Sequence, residues 1–250
     1  MLKTDRLQAI MLLLGPKGRV QSSEVMEKLA VSDMTVRRDL AELEKQGLVE
    51  RFHGGAKLQN FYLQEELSHI DKKIIHHEQK ERIARRASEL INDGDTIFLG
   101  PGTTIELLAQ CIQADFLRIV TNCRPVFDQL NKHKKNWKLY LLGGELREKT
   151  QCLVGEIADQ SLESMYFQKA FVSCNAVNGQ KIMTSTFEEG QTQQIALNKS
   201  DARYLLIDHS KIGKRDFSVN YSLRDVTAVI TDEHEQKYYE KLENVETSIV

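Results

Sequence analysis

Proline is scarce in this 250-residue chain, at three residues, and tryptophan occurs once. So little proline excludes a proline-rich linker, and the composition holds no low-complexity tract. Four cysteines, Cys111, Cys123, Cys152 and Cys174, stand far apart without a CxxC pair. Neither a disulfide framework nor a cysteine metal site is therefore expected, and the thiols read as reduced packing residues of a cytoplasmic protein. Long apolar runs are missing as well: Ala9 to Leu14 is about a third of what a membrane span needs. The start carries Lys3, Asp5 and Arg6 with no small-residue cleavage site, so no secretory leader is expected there. Nor does one sign of charge dominate. The net charge is −2; residues 1–57 carry 10 Lys+Arg against 8 Asp+Glu, which leaves 24 against 28 in the remainder. That split permits a nucleic-acid-binding head on a body that does not bind nucleic acid, without demanding one.

What is present is periodicity, and it changes character along the chain. Leu7, Ile10, Met11 and Leu14 recur at helical spacing, and Gly15-Pro16 with Gly18 stops that helix. Ser22 or Ser23 is expected to cap a short second helix through Leu29. Ser32 is expected to cap a third, Asp33 to Gln46, with Gly47 as its stop. Leu48 to Phe52 reads as a strand and Gly54-Gly55 as the turn of a hairpin that returns through Ala56 to Leu58. Three helices and a hairpin in under 60 residues outline a winged helix-turn-helix over residues 1–57. Residues 58–79 are polar and poorly periodic and read as a linker, partly helical. From Lys80 on, strands at Thr96–Leu99, Leu117–Thr121, Leu139–Leu142, Lys169–Ser173, Tyr204–Asp208 and Val226–Thr231 alternate with helices. The expected fold class is therefore α/β, with residues 80–250 forming a largely parallel sheet covered on both faces.

On a wheel of about 100° per residue, Val36, Leu40 and Leu43 share one side of the third helix, while Met34, Thr35, Arg38, Ala41 and Glu42 take the other. The start of such a helix enters the major groove of double-stranded DNA, where Arg38 can pair with a guanine edge and Met34 and Thr35 can touch a thymine methyl. Arg37, with Arg51, His53 and Lys57 from the hairpin, suits phosphates, which position without reading sequence; Ser32 completes the set. Val31-Ser32-x-x-Thr35-Val36-Arg37-Arg38-Asp39-Leu40, followed by Glu50-Arg51-x-His53-Gly54-Gly55-Ala56, resembles the head of the DeoR family of bacterial repressors.

Further on, Gly100-Pro101-Gly102-Thr103-Thr104 follows a strand and opens a helix. Glycines let the backbone approach an anion, and helix-start N–H groups with two hydroxyls can bind phosphate. Other strands end in Thr121-Asn122-Cys123-Arg124, Gly143-Gly144-Glu145-Leu146-Arg147, Ser173-Cys174-Asn175 and Asp208-His209-Ser210-Lys211. Parallel sheets bind ligands outside the carboxyl ends of their strands. Residues 80–231 resemble the DeoR-family sensor, which is similar in fold to ribose-5-phosphate isomerase. Asn175-Ala176-Val177-Asn178, Met183-Thr184-Ser185-Thr186 and Thr192-Gln193-Gln194 narrow the resemblance to the lactose phosphotransferase system repressors of Gram-positive bacteria, a subgroup of that family. Many family members have Asp where this chain has Gly100 and Lys-Arg where it has Gln193-Gln194, which implies an altered pocket. The resemblance implies a repressor of a lactose/tagatose pathway operon, with tagatose-6-phosphate as inducer. It implies that Gly100, Gly102, Thr103 and Thr104 hold the phosphate. Asn122, Gly144, Glu145, Asn175 and Lys211, then Arg147 and Glu189, become candidates for the rest of the ligand.

Other constellations carry less. His76-His77-Glu78, with His69 nearby, has adjacent histidines that point to different sides of a helix, so no metal site is expected, and no cofactor motif stands out. Trp137 and Tyr238-Tyr239 read as packing residues. The rival function is a sugar-phosphate isomerase with an appended head, using Glu145 or Glu148 as base. Isomerases of this fold carry an Asp-Gly-Ala-Asp stretch where this chain reads Asn175-Ala176-Val177-Asn178. Amides bind hydroxyls but remove no carbon-bound proton, so binding without turnover is expected. A homo-oligomer is also expected, because one small head buries little DNA surface.

Overall fold

The computed structural model describes residues 3–14, 19–45, 49–58, 68–133, 135–232 and 248–249. It divides into two compact units, Met1–Glu66 and Leu67–Val250.

In the N-terminal unit, α1 (Lys3–Leu14), α2 (Ser22–Leu29) and α3 (Asp33–Lys45) surround one apolar core. Ile10 and Leu14 from α1, Val25 from α2, and Val36, Leu40 and Leu43 from α3 are buried together, as the helical spacing predicts. A three-stranded antiparallel sheet closes the core, in the order β1 (Arg19–Gln21), β3 (Gly55–Leu58), β2 (Val49–Phe52). The short strand β1 was not expected. Its Val20 is buried among the helices and its backbone pairs with Ala56, a match that only the folded hairpin can offer. Two local expectations need correction. Gln21, not a serine, occupies the cap position of α2 and makes no side-chain capping bond, and Gly55 belongs to β3, with the turn at His53-Gly54. The proposed stops at Gly15-Pro16, Gly18 and Gly47 lie outside the described residues, as does the Tyr238-Tyr239 pair.

The C-terminal unit begins with α4 (His69–Ile74) and α5 (His77–Ser88), so residues 68–79 of the stretch read as a linker are structured elements of this unit. Residues 59–67 lie outside the described residues. Next in chain order come β4 (Thr96–Leu99), α6 (Thr103–Cys111), β5 (Arg118–Thr121), α7 (Arg124–Leu130), β6 (Lys138–Leu141), β7 (Glu145–Arg147), β8 (Cys152–Val154) and α8 (Glu156–Glu163). They are followed by β9 (Phe167–Val172), β10 (Ala176–Asn178), β11 (Lys181–Thr184), α9 (Phe187–Asn198), β12 (Ser200–Leu206), β13 (Ser218–Ser222), β14 (Ala228–Ile230) and β15 (Ser248–Ile249). Seven strands form one sheet in the order β15-β14-β12-β9-β4-β5-β6, and every pairing is parallel.

The strands are apolar on both faces because both are covered. Ile97 and Leu99 of β4 pack with Ile83 and Ala87 of α5, Ile105 and Leu108 of α6 and Val126 of α7. Phe98, between them in sequence, points the other way and joins Leu162 of α8 and Ala196 and Leu197 of α9. Two smaller pieces were not foreseen: an antiparallel sheet β10-β11-β13 and a hairpin of β7 and β8. Both are strands of three to five residues, too short to leave a periodic trace.

Candidate functional site

On the head, α3 presents one exposed side. Met34 is 71% exposed, and Arg37 and Arg38 are exposed with it. The Ser32 hydroxyl accepts from the Thr35 N–H at 3.4 Å and lies 3.0 Å from the Thr35 hydroxyl, so it caps the helix start. Arg37 pairs along the helix with Asp33 at 2.8 Å, a solvated contact worth little to stability. Among the described residues Arg38 is exposed and makes no ion pair. In the hairpin, Arg51 holds Glu44 at 2.9 Å, Lys57 holds Glu50 at 3.1 Å, and His53 is exposed at the turn. Sequence reading missed what keeps α3 in place. Asp39 is fully buried on its inner side and takes two hydrogen bonds from the Arg6 guanidinium of α1, one of them Nη2 to Oδ1 at 2.9 Å. The signal was legible: Asp39 sits on the same stripe as Val36, Leu40 and Leu43, where a lone carboxylate needs a partner.

In the sheet, β4 and β9 are neighbours whose onward connections diverge. From β4 the chain passes through α6 to β5 on one side; from β9 it passes through α9 to β12 on the other. Such a switch point opens a crevice at the strands' carboxyl ends. Gly100-Pro101-Gly102 leaves β4 there, and Ser173-Cys174-Asn175 leaves β9. Gly102, at φ 132, precedes α6 in a conformation that favours glycine, and an added Cβ would stand 3.3 Å from the Ser173 side chain. The Lys211 ammonium donates to the Ser173 hydroxyl at 3.1 Å. Thr103 and Thr104 open α6 nearly buried, and the Thr104 hydroxyl has no partner. At the end of β5, buried Asn122 donates to the Leu153 carbonyl at 3.0 Å while its own oxygen is unpartnered.

Asn175 donates to Ser185 and accepts from Lys72 at 3.2 Å. Gly144, at φ 142, lets the chain pass where a Cβ would stand 2.6 Å from the Val154 carbonyl oxygen, so its role is to admit the β7-β8 hairpin. Arg147 and Glu189 form a largely buried pair at 2.5 Å. Glu145 stands apart: it is exposed and, among the described residues, makes no ion pair or side-chain hydrogen bond. Gln193 is buried and accepts from Asn220 at 3.2 Å, whereas Gln194 is exposed.

Two cations at this end were missed. Lys80 is buried and Lys72 half-buried, and Lys80 donates to the Lys72 carbonyl at 2.5 Å. Burial first, then the Lys211 charge, lowers the Lys80 ammonium to about 8; Asp208 opposes the shift and Lys72 adds to it. The clue was a lysine on the apolar stripe Lys80, Ile83, Ala84, Ala87. Burial pushes the Asp208 carboxyl up, but Lys211, the Ser210 hydroxyl and Lys80 outweigh it, so it sits below its ordinary value. The thiols are shielded: burial raises Cys123 to about 12 and Cys174 to about 11.

The pattern of the DeoR-like helix-turn-helix domain matches residues 6–60, and that of the DeoR C terminal sensor domain matches residues 75–233. The chain belongs to the DeoR family. As a DeoR-family protein it is a DNA-binding repressor. It is 49% identical to the lactose phosphotransferase system repressor of Streptococcus mutans over 97% of both chains. It is 46% identical to that of Staphylococcus aureus over 99% of this chain and 98% of the other. Among solved structures, the sorbitol operon regulator SorC from Klebsiella pneumoniae aligns over 96% of this chain and 99% of its own, at 11% identity and a TM-score of 0.41. Ribose 5-phosphate isomerase A from Methanocaldococcus jannaschii aligns over 54% of each chain, at 15% identity and a TM-score of 0.38. Among the described residues no helix of this DeoR-family chain is long and apolar enough to cross a membrane.

Proposed function

We propose that this DeoR-family repressor controls a lactose/tagatose-6-phosphate pathway operon in the cytoplasm and is released from its operator by a sugar phosphate, tagatose-6-phosphate. The names of its relatives support the operon. The observation that carries the ligand is a pair of buried, unpartnered oxygens: Thr104 Oγ1 in the first turn of α6, which follows β4, and Asn122 Oδ1 immediately after β5, the strand that pairs with β4. An orphaned buried polar atom costs about 1–3 kcal/mol, so such atoms are kept where something binds them. The α6 N-terminus with Gly102, Thr103 and Thr104 suits the phosphate, with Lys211 as countercharge. Asn122 and Asn175 suit sugar hydroxyls.

Binding without turnover fits the carboxylates. Glu189 is neutralised by Arg147, and Asp208, held low by its cations, is a weak base. For release, the sugar phosphate must bind the form with low operator affinity more tightly than the form with high affinity.

Calorimetric titration with tagatose-6-phosphate, fructose-6-phosphate and ribose-5-phosphate tests the reading, alongside operator binding at fixed salt. Selective, saturable binding that lowers operator affinity is the expected result. Operator affinity unchanged at saturating tagatose-6-phosphate would refute it, and product formation would make the domain an isomerase.

A further inference from the structure

The antiparallel sheet β10-β11-β13 brings one more carboxylate to the crevice. Strands β11 and β13 pair with Thr184 opposite Ser218, which sets Ser185, just past β11, beside the segment that enters β13. Four half-buried polar side chains then form one row. Lys72 donates to Asn175 Oδ1 at 3.2 Å, Asn175 Nδ2 donates to the Ser185 hydroxyl, and that hydroxyl donates to Asp216 Oδ2 at 3.1 Å. An ammonium can only donate and a carboxylate only accept, so the direction of all three bonds is fixed and each polarises the next. The Asn175 amide is thereby oriented, its oxygen towards Lys72 and its nitrogen towards Ser185. Asp216 is held at its other oxygen by the Phe217 N–H at 2.7 Å.

The row has bonding capacity left over. Asn175 keeps one amide N–H, and each Asp216 oxygen keeps a lone pair. A carboxylate accepts only, so whatever meets Asp216 must bring a proton. A phosphate dianion has none to give, whereas a sugar hydroxyl both gives and takes a hydrogen bond. Two neighbouring hydroxyls can therefore take the Asn175 N–H and serve Asp216 together. The phosphate belongs at the other end, where Lys211 meets Ser173, two residues before Asn175, beside the start of α6. We propose that Asp216 is a specificity-determining residue of the crevice: it accepts from a hydroxyl of the sugar while Asn175 donates to the next, so the site takes a polyhydroxylated phosphate ester in one orientation. This role of Asp216 rests on the crevice being the sugar-phosphate site. Ser185 positions the carboxylate and does not itself touch the ligand.

The test is calorimetry of the full chain with two probes, tagatose-6-phosphate and inorganic phosphate, the second followed by its displacement of the first. Wild type, Asp216→Ala and Asp216→Asn are compared, with circular dichroism as the check on folding. Asp216→Ala is expected to bind tagatose-6-phosphate at least about tenfold more weakly, because a hydrogen bond to a charged group is lost, and to keep its affinity for inorganic phosphate. Asp216→Asn, which retains one acceptor oxygen, is expected to fall between the two, and it decides the matter if the alanine variant does not fold. Equal losses for both probes, which a merely structural role would give, or no loss for either, overturn the proposal. So does a wild type that binds inorganic phosphate as tightly as the sugar phosphate, a result that leaves the phosphate site standing. A wild type that binds neither probe refutes the effector crevice itself, and the role of Asp216 with it.

Discussion

Glu106 on α6 is almost fully buried, yet it accepts hydrogen bonds from the His69 ring at 2.9 Å, Lys73 at 2.7 Å and Gln129 at 3.0 Å. Burial alone would raise its pKa; the three donors outweigh burial and hold the carboxyl at about 2, against an ordinary 4.5. The surroundings thus favour the anion by roughly 3 kcal/mol, at about 1.4 kcal/mol for each tenfold. Lys73 is 47% exposed, so solvent screens its share, and Glu106→Gln keeps one acceptor oxygen. The expected net cost of that substitution at neutral pH is about 2 kcal/mol, or about 4–8 °C in Tm for a unit of this size. Because the folded pKa lies below the unfolded one, the stabilisation is complete above pH about 4.5 and disappears as pH falls towards 2. Urea unfolding of wild type and variant, followed by fluorescence of the single tryptophan, Trp137, at several pH values from 7 to 3, measures the gap. A gap of about 2 kcal/mol that narrows below pH 4.5 is expected. A gap independent of pH, or none at pH 7, refutes the assignment of the stabilisation to this carboxylate. Hydrogen exchange in α4 should also quicken in the variant, since Glu106 anchors two of its side chains.

Arg38→Ala should lose about 1–3 kcal/mol of operator binding per half-site, measured by titration of labelled operator at fixed salt, with sugar-phosphate affinity intact; unchanged affinity removes Arg38 from the reading set. Thr103→Ala should weaken tagatose-6-phosphate binding at least about tenfold by calorimetry and leave operator binding alone, and the reverse pattern would mean that the crevice is not the pocket. Lys80, charged only in part at pH 8, destabilises the fold while protonated, so stability should rise between pH about 8 and 10.5. An anion bound beside it raises its pKa, so ligand affinity should fall from pH 7 to 9 and binding at pH 8 should take up protons. Calorimetry in two buffers of different ionisation enthalpy reads that uptake, and equal heats would exclude Lys80 from contact with the ligand.

Much of this was legible before folding because it is local. Val36, Leu40 and Leu43 announce the buried side of α3 by spacing alone, and Met34, Thr35 and Arg38 follow as its exposed side. The Gly100-Pro101-Gly102-Thr103-Thr104 turn declares itself because a helix that starts straight after a strand needs those residue types. Contacts between distant segments left no such trace. Nothing near Asp39 in sequence names Arg6, and nothing near Glu106 names His69, Lys73 or Gln129. Residues 69–74 were not read as a helix because α4 is only six residues long, too short to leave a periodic trace.

The sequence by itself determined the third helix of the head with its buried side, the parallel strands and the glycine turn, since propensity, capping and hydrophobic spacing act within a few residues of each other. Only the tertiary structure decided that β4 and β9 are neighbours, that Lys211 meets Ser173 and that Glu145 stands outside. Strand order and the pairing of buried charges depend on which surfaces meet after collapse, and that is a property of the whole chain rather than of any window of it.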